Sequence, residues 1–450
     1  MNDDNDEIER WKWLCSTGAR YLLEGQYTFG NTKTLPNLND WQNSMLKEQV
    51  AFQPRCARRF PNAPRWLWTD KTLAQASDSQ SATFKASLFP HGSPIIDGCC
   101  GAGADTVALS HRGPTTGVDL DPINLQIAAF NTAHNGATPD APSVAFACER
   151  IPAALTTLAD ENTWLHLDPD RRHGGTKSTY EDDFSPSIQE LLPAVARAQG
   201  ALIKISPSTD FAEGTESQLS QIAQRLWIGV GSECRQQVLL FGEAKTKLTE
   251  LLRNQLHSSS GVGADRFAVL LPSMFANKRS EPAIIDSTSP PSLSQPLVAL
   301  GYFAGEGTDS ESIGDVAVSE GAEPGDVIFD LHATLHASDL AVAWASQNEL
   351  SALGDVQGYF HAREPLSETS WTQQFRILDV ESWDDRKIRK RLRALKPGSV
   401  EVKARRFKID ANHFQRRYQN LLATEDGPSI TLLVTRIGQR VRCFICERLA

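Results

Sequence analysis

The stretch from Pro94 to Asp105 restricts the fold of this 450-residue chain more than any other. A short apolar run, Pro94-Ile95-Ile96, ends in Asp97 and opens into Gly98-Cys99-Cys100-Gly101-Ala102-Gly103-Ala104-Asp105. Glycines at 101 and 103 let a backbone approach a ligand where a Cβ would clash. A helix is expected to begin at Thr106–Leu109, and its first N–H groups have no partner within the helix. Twenty-two residues after Asp97 a second strand, Thr116–Asp119, also ends in an acid. An acid there is placed to accept hydrogen bonds from ribose hydroxyls. The loop is D-x-C-C-G-x-G rather than the G-x-G-x-x-G of a dinucleotide-binding turn, which moves the reading away from nicotinamide cofactors.

The flanking pattern alternates strand-length apolar runs with helical stretches. Pro122–Asn135 is expected as a helix, with Asp121 at its N-cap and Pro122 at its first position. Strands are expected at Ser143–Ala147, Thr163–Leu167, Ala201–Ile205, Val238–Phe241 and Phe267–Leu271. Such alternation implies an α/β fold, a parallel sheet covered on both faces, with its ligand beyond the carboxyl ends of the strands. Residues 1–80 read as a helical region, with apolar series through Trp11, Leu14, Tyr21 and Leu22, then Leu46, Val50 and Phe60. The α/β domain is expected over 81–275. Linker or insertion sequence with a short helix, Ser338–Ala352, is expected over 276–375; Ser280–Gln295 and Gly305–Gly325 are its Ser-, Pro- and Gly-rich parts. A small α+β domain is expected over 376–450. Its strands are Phe375–Val380, Val400–Ala404, Ile430–Arg436 and Val441–Cys446, and its helices Asp385–Leu395 and Ala411–Leu422.

No run of about 18 apolar residues is present, and the acidic start lacks the order of a signal peptide. A cytoplasmic protein with no membrane partner is expected. Eight scattered cysteines do not form a disulfide framework. The lone Cys443–Cys446 pair reads as strand packing, so no metal is expected. The net charge of −10 is uneven. Arg386–Arg417 holds 13 Lys or Arg against 2 Asp or Glu, leaving the rest of the chain at −21. A nucleic-acid surface and a merely solvated basic helix both fit that asymmetry.

A third strand end sharpens the reading. Asp168-Pro169-Asp170-Arg171-Arg172 follows strand Thr163–Leu167, where methyltransferases acting on nucleobase amines carry (D/N)-P-P-aromatic. Taken with Asp97–Asp105 and Gly117-Val118-Asp119-Leu120-Asp121-Pro122, it resembles a family of bacterial class I methyltransferases with a C-terminal THUMP-like domain. Arg59-Phe60-Pro61, Trp68-Thr69 and Leu73-Ala74-Gln75-Ala76-Ser77 match upstream. Lys204-Ile205-Ser206-Pro207 and Gly231-Ser232-Glu233-Cys234-Arg235 match downstream. The segment from Lys387 through Val402-Lys403 to Leu432–Arg436 is similar to the THUMP-like domain. The likeness covers roughly residues 45–275 and 320–450, and residues 1–40 have no counterpart.

The resemblance implies a Rossmann-like class I methyltransferase sheet and S-adenosyl-L-methionine as cofactor. Asp97, Cys99, Gly101 and Gly103 would border its methionine part. Asp119 would hold the ribose, and Leu120 would pack on the adenine. Glu149 would read the adenine amine, unless it is only a surface acid. Asp168 and Pro169 would line the methyl-donor site, and Asp168 could accept a proton from an amine. Arg171 and Arg172 stand where an aromatic would stack a base. Arg171 could stack in its place or fork onto a phosphate, or the pair could form salt bridges with Asp170, Asp182 or Asp183. THUMP domains as a family bind structured RNA, so Arg389, Lys390, Arg393, Lys403 and Arg406 are candidate phosphate contacts. An RNA methyltransferase is the leading reading. The alternatives are a methyltransferase for a protein or small molecule, and a non-catalytic RNA-binding Rossmann-like protein.

Overall fold

The computed structural model describes all residues except 1, 29, 31–32, 137–142, 171, 174–175, 178–179, 257–263, 274–300, 306–315, 368 and 450. Two compact units emerge. One is Met1–Gly231 with Arg235–Val262 and Leu271–Leu300; the other is Ser232–Cys234 with Gly263–Leu270 and Gly301–Ala450.

The first unit is organised by a sheet whose strands form where the apolar runs predicted them. These are β1 (Ile95–Gly98), β2 (Thr115–Asp119), β3 (Val144–Cys148), β4 (Trp164–Leu167) and, after a separate two-stranded hairpin of β5 (Arg172–His173) and β6 (Thr176–Lys177) that the sequence did not announce, β7 (Gly200–Ile205). Two more follow, β8 (Gln224–Val230) and β9 (Glu233–Gly242). Neighbours in the sheet run β3-β2-β1-β4-β7-β9-β8. The strands β1 to β4 and β7 are parallel, and β9 is antiparallel to β7. The chain fills the sheet outward from β1 to β3, returns to β4 beside β1, and continues the other way. That reversal places a switch point at the carboxyl ends of β1 and β4, where ligands of such sheets bind. Strand β8 was not anticipated. Its apolar run adjoins a helix, Glu213–Ile222, and periodicity alone does not separate buried strand from buried helix.

The expected helix at Pro122–Asn135 forms, with Asp121 accepting from Ile123 N–H at 2.9 Å and Pro122 in its first turn. The helical N-terminal region does not build a core of its own. Trp11, Leu14, Leu46, Val50, Phe60, Trp66 and Trp68 are buried together with Ala104 and Val107 of helix Ala104–Leu109 and Ile127 and Phe130 of helix Pro122–Asn135. Phe60, Trp66 and Trp68 form a ring cluster with centroids 4.8–5.5 Å apart. The buried Asn131 stitches this layer to the glycine loop. Its Oδ1 accepts from Leu67 N–H, and its Nδ2 donates to Leu67 O and Ala102 O, all at 2.8–3.0 Å.

In the second unit, β10 (Arg266–Leu271) pairs antiparallel with β11 (Gly301–Gly305). Strand β10 forms where the apolar run Phe267–Leu271 predicted a strand, and Ala268 and Leu270 share a core with Val327, Phe329 and Trp344. The main sheet comprises β12 (Val318–Ser319), β13 (Val327–Leu331), β14 (Ser351–Leu353), β15 (Tyr359–Ala362), β16 (Thr372–Ser382), β17 (Ser399–Arg405), β18 (Ser429–Ile437) and β19 (Arg440–Arg448). Their order is β12-β14-β15-β13-β16-β19-β18-β17. The elements expected after residue 375 all form, helices Asp385–Leu395 and Ala411–Leu422 included.

Two expectations upstream of them are corrected. Residues 318–362, expected as linker, supply four strands of the sheet. The single helix expected over Ser338–Ala352 is instead Ala333–Ala337 and Ala341–Gln347, followed by β14. Left-handed Asp339 and Glu349, at φ 59° and 54°, break the chain at those points. The linker Ser280–Gln295 and most of the first half of Gly305–Gly325 lie outside the described residues. Cys443 and Cys446 are fully buried in β19 in two different apolar clusters, one on each face of the sheet.

Removing Asn131 should loosen the first unit as a whole. Asn131→Ala leaves three buried backbone groups without partners and is expected to cost about 2–4 kcal/mol. Urea unfolding followed by tryptophan fluorescence reads that loss directly.

Candidate active site

A cleft of about 470 Å³ opens at the switch point, lined from the loop after β1, the ends of β2, β4 and β7, and helix Asp70–Gln75. The glycine loop shapes its floor. Gly101 sits at φ 55°, and a Cβ built there would meet nothing within 4 Å. The space beside it is open cleft, so a ligand can lie against bare backbone. Gly103 has a different task. At φ 78° it starts helix Ala104–Leu109, and a Cβ there would come within 2.9 Å of Ala128. Gly103 lets two helices approach and does not line the cleft. Cys99 lines it in a left-handed conformation, φ 60°. Burial, with Asp119 and Asp168 nearby, pushes its thiol far up. Cys99 is therefore a protonated wall residue and no nucleophile.

Asp119 closes β2 and organises the loop. Its Oδ2 accepts from Gly101 N–H at 2.9 Å, and its Oδ1 accepts from Asp121 N–H at 3.0 Å and Asn124 Nδ2 at 3.1 Å. Of roughly four acceptor positions on a carboxylate, three are taken, and Asp119 lines the cleft. Leu120 lines the next stretch and is 56% exposed, a flat apolar surface at the rim. Glu149 lies beside it, its N–H bonded to Asp119 O.

Asp97 does not reach the cleft. It is fully buried beneath the loop, where Thr106 Oγ1 and His166 Nδ1 both donate to it. Lys85 Nζ lies 3.0 Å from the other ring nitrogen of His166 and 2.8 Å from Asp105. Ser77 Oγ donates to Asp105 at 2.8 Å. Burial opposes charge on Asp105, but Lys85, then His166 and Lys204, outweigh it and hold the carboxyl well below its usual range. The Lys85 ammonium is pushed down, by burial first, with Asp105 pulling the other way. This network was not anticipated. Its signals in the sequence were single polar residues in apolar surroundings, such as His166 inside Trp164–Leu167.

At the far end of the cleft stand Asp168, Pro169 and Asp170. Asp168 Oδ2 accepts from Lys204 Nζ at 2.6 Å, and Lys204 also donates to Gln75 O at 3.1 Å. Asp170 accepts from Gln75 Nε2 at 2.7 Å and pairs with Lys71 at 3.0 Å. Lys204, Gln75 and Lys71 were not foreseen as site residues, although Lys204 and Gln75 stand in motifs noted above. A lysine inside the apolar strand Gly200–Ile205 was the available clue. Arg171 lies outside the described residues.

The cationic residues sort differently in the fold. Arg389 pairs with Asp385 at 2.9 Å, Arg406 with Asp355 at 2.9 Å, and Lys403 with Asp330 at 3.0 Å and Gln373 at 2.6 Å. Arg391 lies 2.5 Å from Asp379. Lys390 and Arg393 are exposed, with no ion pair found among the described residues. They share one helix face with the exposed Arg386, opposite the buried Ile388 and Leu392.

Comparison with known proteins agrees with this architecture. Residues 372–448 match the family model described as THUMP domain-like. Two curated proteins from Mycobacterium tuberculosis, strains CDC 1551 and H37Rv, are each 24% identical over 419 residues. The match covers 89% of this chain and 96% of theirs, and each is described as an uncharacterized S-adenosylmethionine-dependent methyltransferase. A crystal structure of a candidate methyltransferase from Porphyromonas gingivalis W83 covers 99% of both chains at a TM-score of 0.64 and 13% identity, a likeness of fold. No helix among the described residues is long and apolar enough to cross a membrane.

Removing Lys85 strands Asp105 as a buried charge. Lys85→Met is expected to cost about 3–5 kcal/mol at pH 7 in urea unfolding. In the native chain a depressed carboxyl contributes stability that is complete above its unfolded pKa, about 3.9, and lost as pH falls below it. In the variant the stranded carboxyl takes up a proton on folding, so the gap from wild type should narrow between pH 7 and pH 4. A gap that stays constant would mean that Lys85 acts through packing alone. Sheet order and glycine loop give the first unit the fold of class I methyltransferases, residues 372–448 match the THUMP domain-like model, and along 89% of its length the chain is similar to S-adenosylmethionine-dependent methyltransferases.

Proposed function

We propose that this protein transfers the methyl group of S-adenosyl-L-methionine to an amine of an RNA base, in the cytoplasm. The observation that carries the reading is one cleft bordered by an open glycine backbone, a strand-end acid with one acceptor position unused and a half-used carboxylate. Gly101 leaves space for the methionine part, and Cys99 walls it. Asp119 offers its remaining acceptor position to a ribose hydroxyl. Leu120 supplies an apolar face for the adenine, and Glu149 an acceptor beside it. Asp97 serves the same site from beneath, by holding the loop through Thr106 and His166.

The bound sulfonium supplies an already activated methyl group, so positioning is the main task left to the chain. Asp168 points one oxygen to Lys204, and no partner is found for the other among the described residues. That Oδ1 takes the proton an amine sheds as it is methylated. Pro169 fixes the loop that carries Asp168. Arg171 remains a candidate for contact with a base or phosphate. No aromatic side chain lines the cleft among the described residues, an observation that keeps a protein or small-molecule acceptor as the second reading.

The RNA part rests on the THUMP domain-like match and on the exposed face of Arg386, Lys390 and Arg393. Cations at such spacing neutralise phosphates without reading sequence. Arg389, Lys403 and Arg406 flank that face but already have carboxylate partners, so they contribute less.

Calorimetry with S-adenosylhomocysteine tests the cofactor site. Asp119→Ala should weaken binding by about 1.5–3 kcal/mol, and Gly101→Val should reduce it further by filling the open space. Binding of a nicotinamide dinucleotide with none of the homocysteine product would overturn the assignment. For RNA, fluorescence anisotropy with a tRNA-like transcript should show affinity falling steeply with salt. Reversing Arg386, Lys390 and Arg393 to Glu should abolish most of it and leave S-adenosylhomocysteine binding unchanged. Equal binding by wild type and the triple variant would favour the second reading. Mass spectrometry of RNA nucleosides from cells with and without the protein identifies the product.

A further inference from the structure

The two carboxylates at the end of β4 are used unequally. Both oxygens of Asp170 are taken, Oδ1 by Gln75 Nε2 at 2.7 Å and Oδ2 by Lys71 at 3.0 Å. Asp168 has one oxygen taken, by Lys204 at 2.6 Å. Lys204 is 6% exposed and gives a second hydrogen to the backbone carbonyl of Gln75 at 3.1 Å. Gln75 is thus held at both ends, its carbonyl by Lys204 and its carboxamide by Asp170. Its Oε1 and second amide hydrogen have no partner found among the described residues. Gln75 and Asp168 line the same cleft.

A fixed carboxamide shows one donor and one acceptor in a single plane. That pair matches a primary amine beside a ring nitrogen, as glutamine matches the amine edge of adenine. The ring nitrogen takes the Gln75 N–H, one amine hydrogen goes to Gln75 Oε1, and the other to Asp168 Oδ1. We propose that Gln75, clamped between Lys204 and Asp170, selects an acceptor with the amidine edge common to adenine and cytosine, and that Lys204 is the positioning residue for both Gln75 and Asp168. A uracil or hypoxanthine edge would set its carbonyl oxygen against the Asp168 oxygen, leaving both unpaired. Buried polar groups left unpaired are what make such sites selective. The hydrogen-bonding edge does the work that a stacking ring does elsewhere. This inference rests on the amine reading of the cleft given above.

The test uses the full chain saturated with S-adenosylhomocysteine and saturation-transfer NMR with four nucleosides. Adenosine and cytidine are expected to bind at least tenfold more tightly than inosine and uridine. Gln75→Ala should erase that preference. Lys204→Met should weaken adenosine binding at least tenfold, and Lys204→Arg should restore part of it. Affinity for S-adenosylhomocysteine should stay within about threefold in each variant. Gln75→Ala decides the matter should Lys204→Met not fold. Equal binding of the four nucleosides, binding of none, or a Gln75→Ala variant that keeps the preference overturns the proposal. Loss of homocysteine-product binding by the wild type would overturn the cofactor reading and this one together. A base preference in a protein that methylates no RNA would overturn only the RNA reading.

Discussion

Beneath the glycine loop, Asp97, His166, Lys85 and Asp105 form one buried chain of hydrogen bonds and ion pairs. The four residues come from β1, β4, helix Ser79–Ala86 and helix Ala104–Leu109. Each is 7% exposed or less. Charges in such a place are tolerated only when every partner is in position. The chain of contacts therefore ties helix Ser79–Ala86, β1, β4 and helix Ala104–Leu109 together beneath the glycine loop that joins β1 to that last helix. The conformation of Cys99–Gly103 depends on it, and so does the height at which Asp105 meets the cleft wall.

The same economy of partners governs the cleft itself. Asp119 spends three acceptor positions on the loop and Asn124 and keeps one. Asp170 spends both oxygens on Gln75 and Lys71. Asp168 spends one on Lys204. The carboxylates are similar as residues and different as chemical groups, because their neighbours leave them different numbers of open acceptors. What each can do for a ligand follows from that remainder.

In the C-terminal unit, partners again decide. The run Arg386–Arg417 is densely basic in sequence, yet Asp385, Asp379, Asp330 and Asp355 neutralise much of it. Asp330 alone takes both Lys403 and Arg405 at 2.7–3.0 Å. Burial opposes its charge, and the two cations still hold its carboxyl below the usual range. The unpaired basic surface is narrower than the charge count suggests, and Arg386, Lys390 and Arg393 hold one face of helix Asp385–Leu395 within it.

The amino-acid sequence determined the alternating strands and helices of the first unit, the glycine loop, the strand-end acids Asp119 and Asp168, and the C-terminal α+β order. These are local properties: apolar period, capping residues and turn chemistry act within a few positions of the chain. Strand β8 escaped because a short buried apolar run looks alike as strand or helix. The strands between residues 318 and 362 escaped because, apart from the β14–β15 pair, their neighbours in the sheet are roughly 30 to 50 residues away in sequence. Tertiary structure alone decided that Asp97 and Gly103 serve packing, that Gln75 and Lys71 reach the cleft, and that Lys204 clamps Asp168. Those assignments depend on which side chains meet across roughly 30 to 130 residues. A residue's type states which hydrogen bonds it can make, and only its folded neighbours state which of them are left for a ligand.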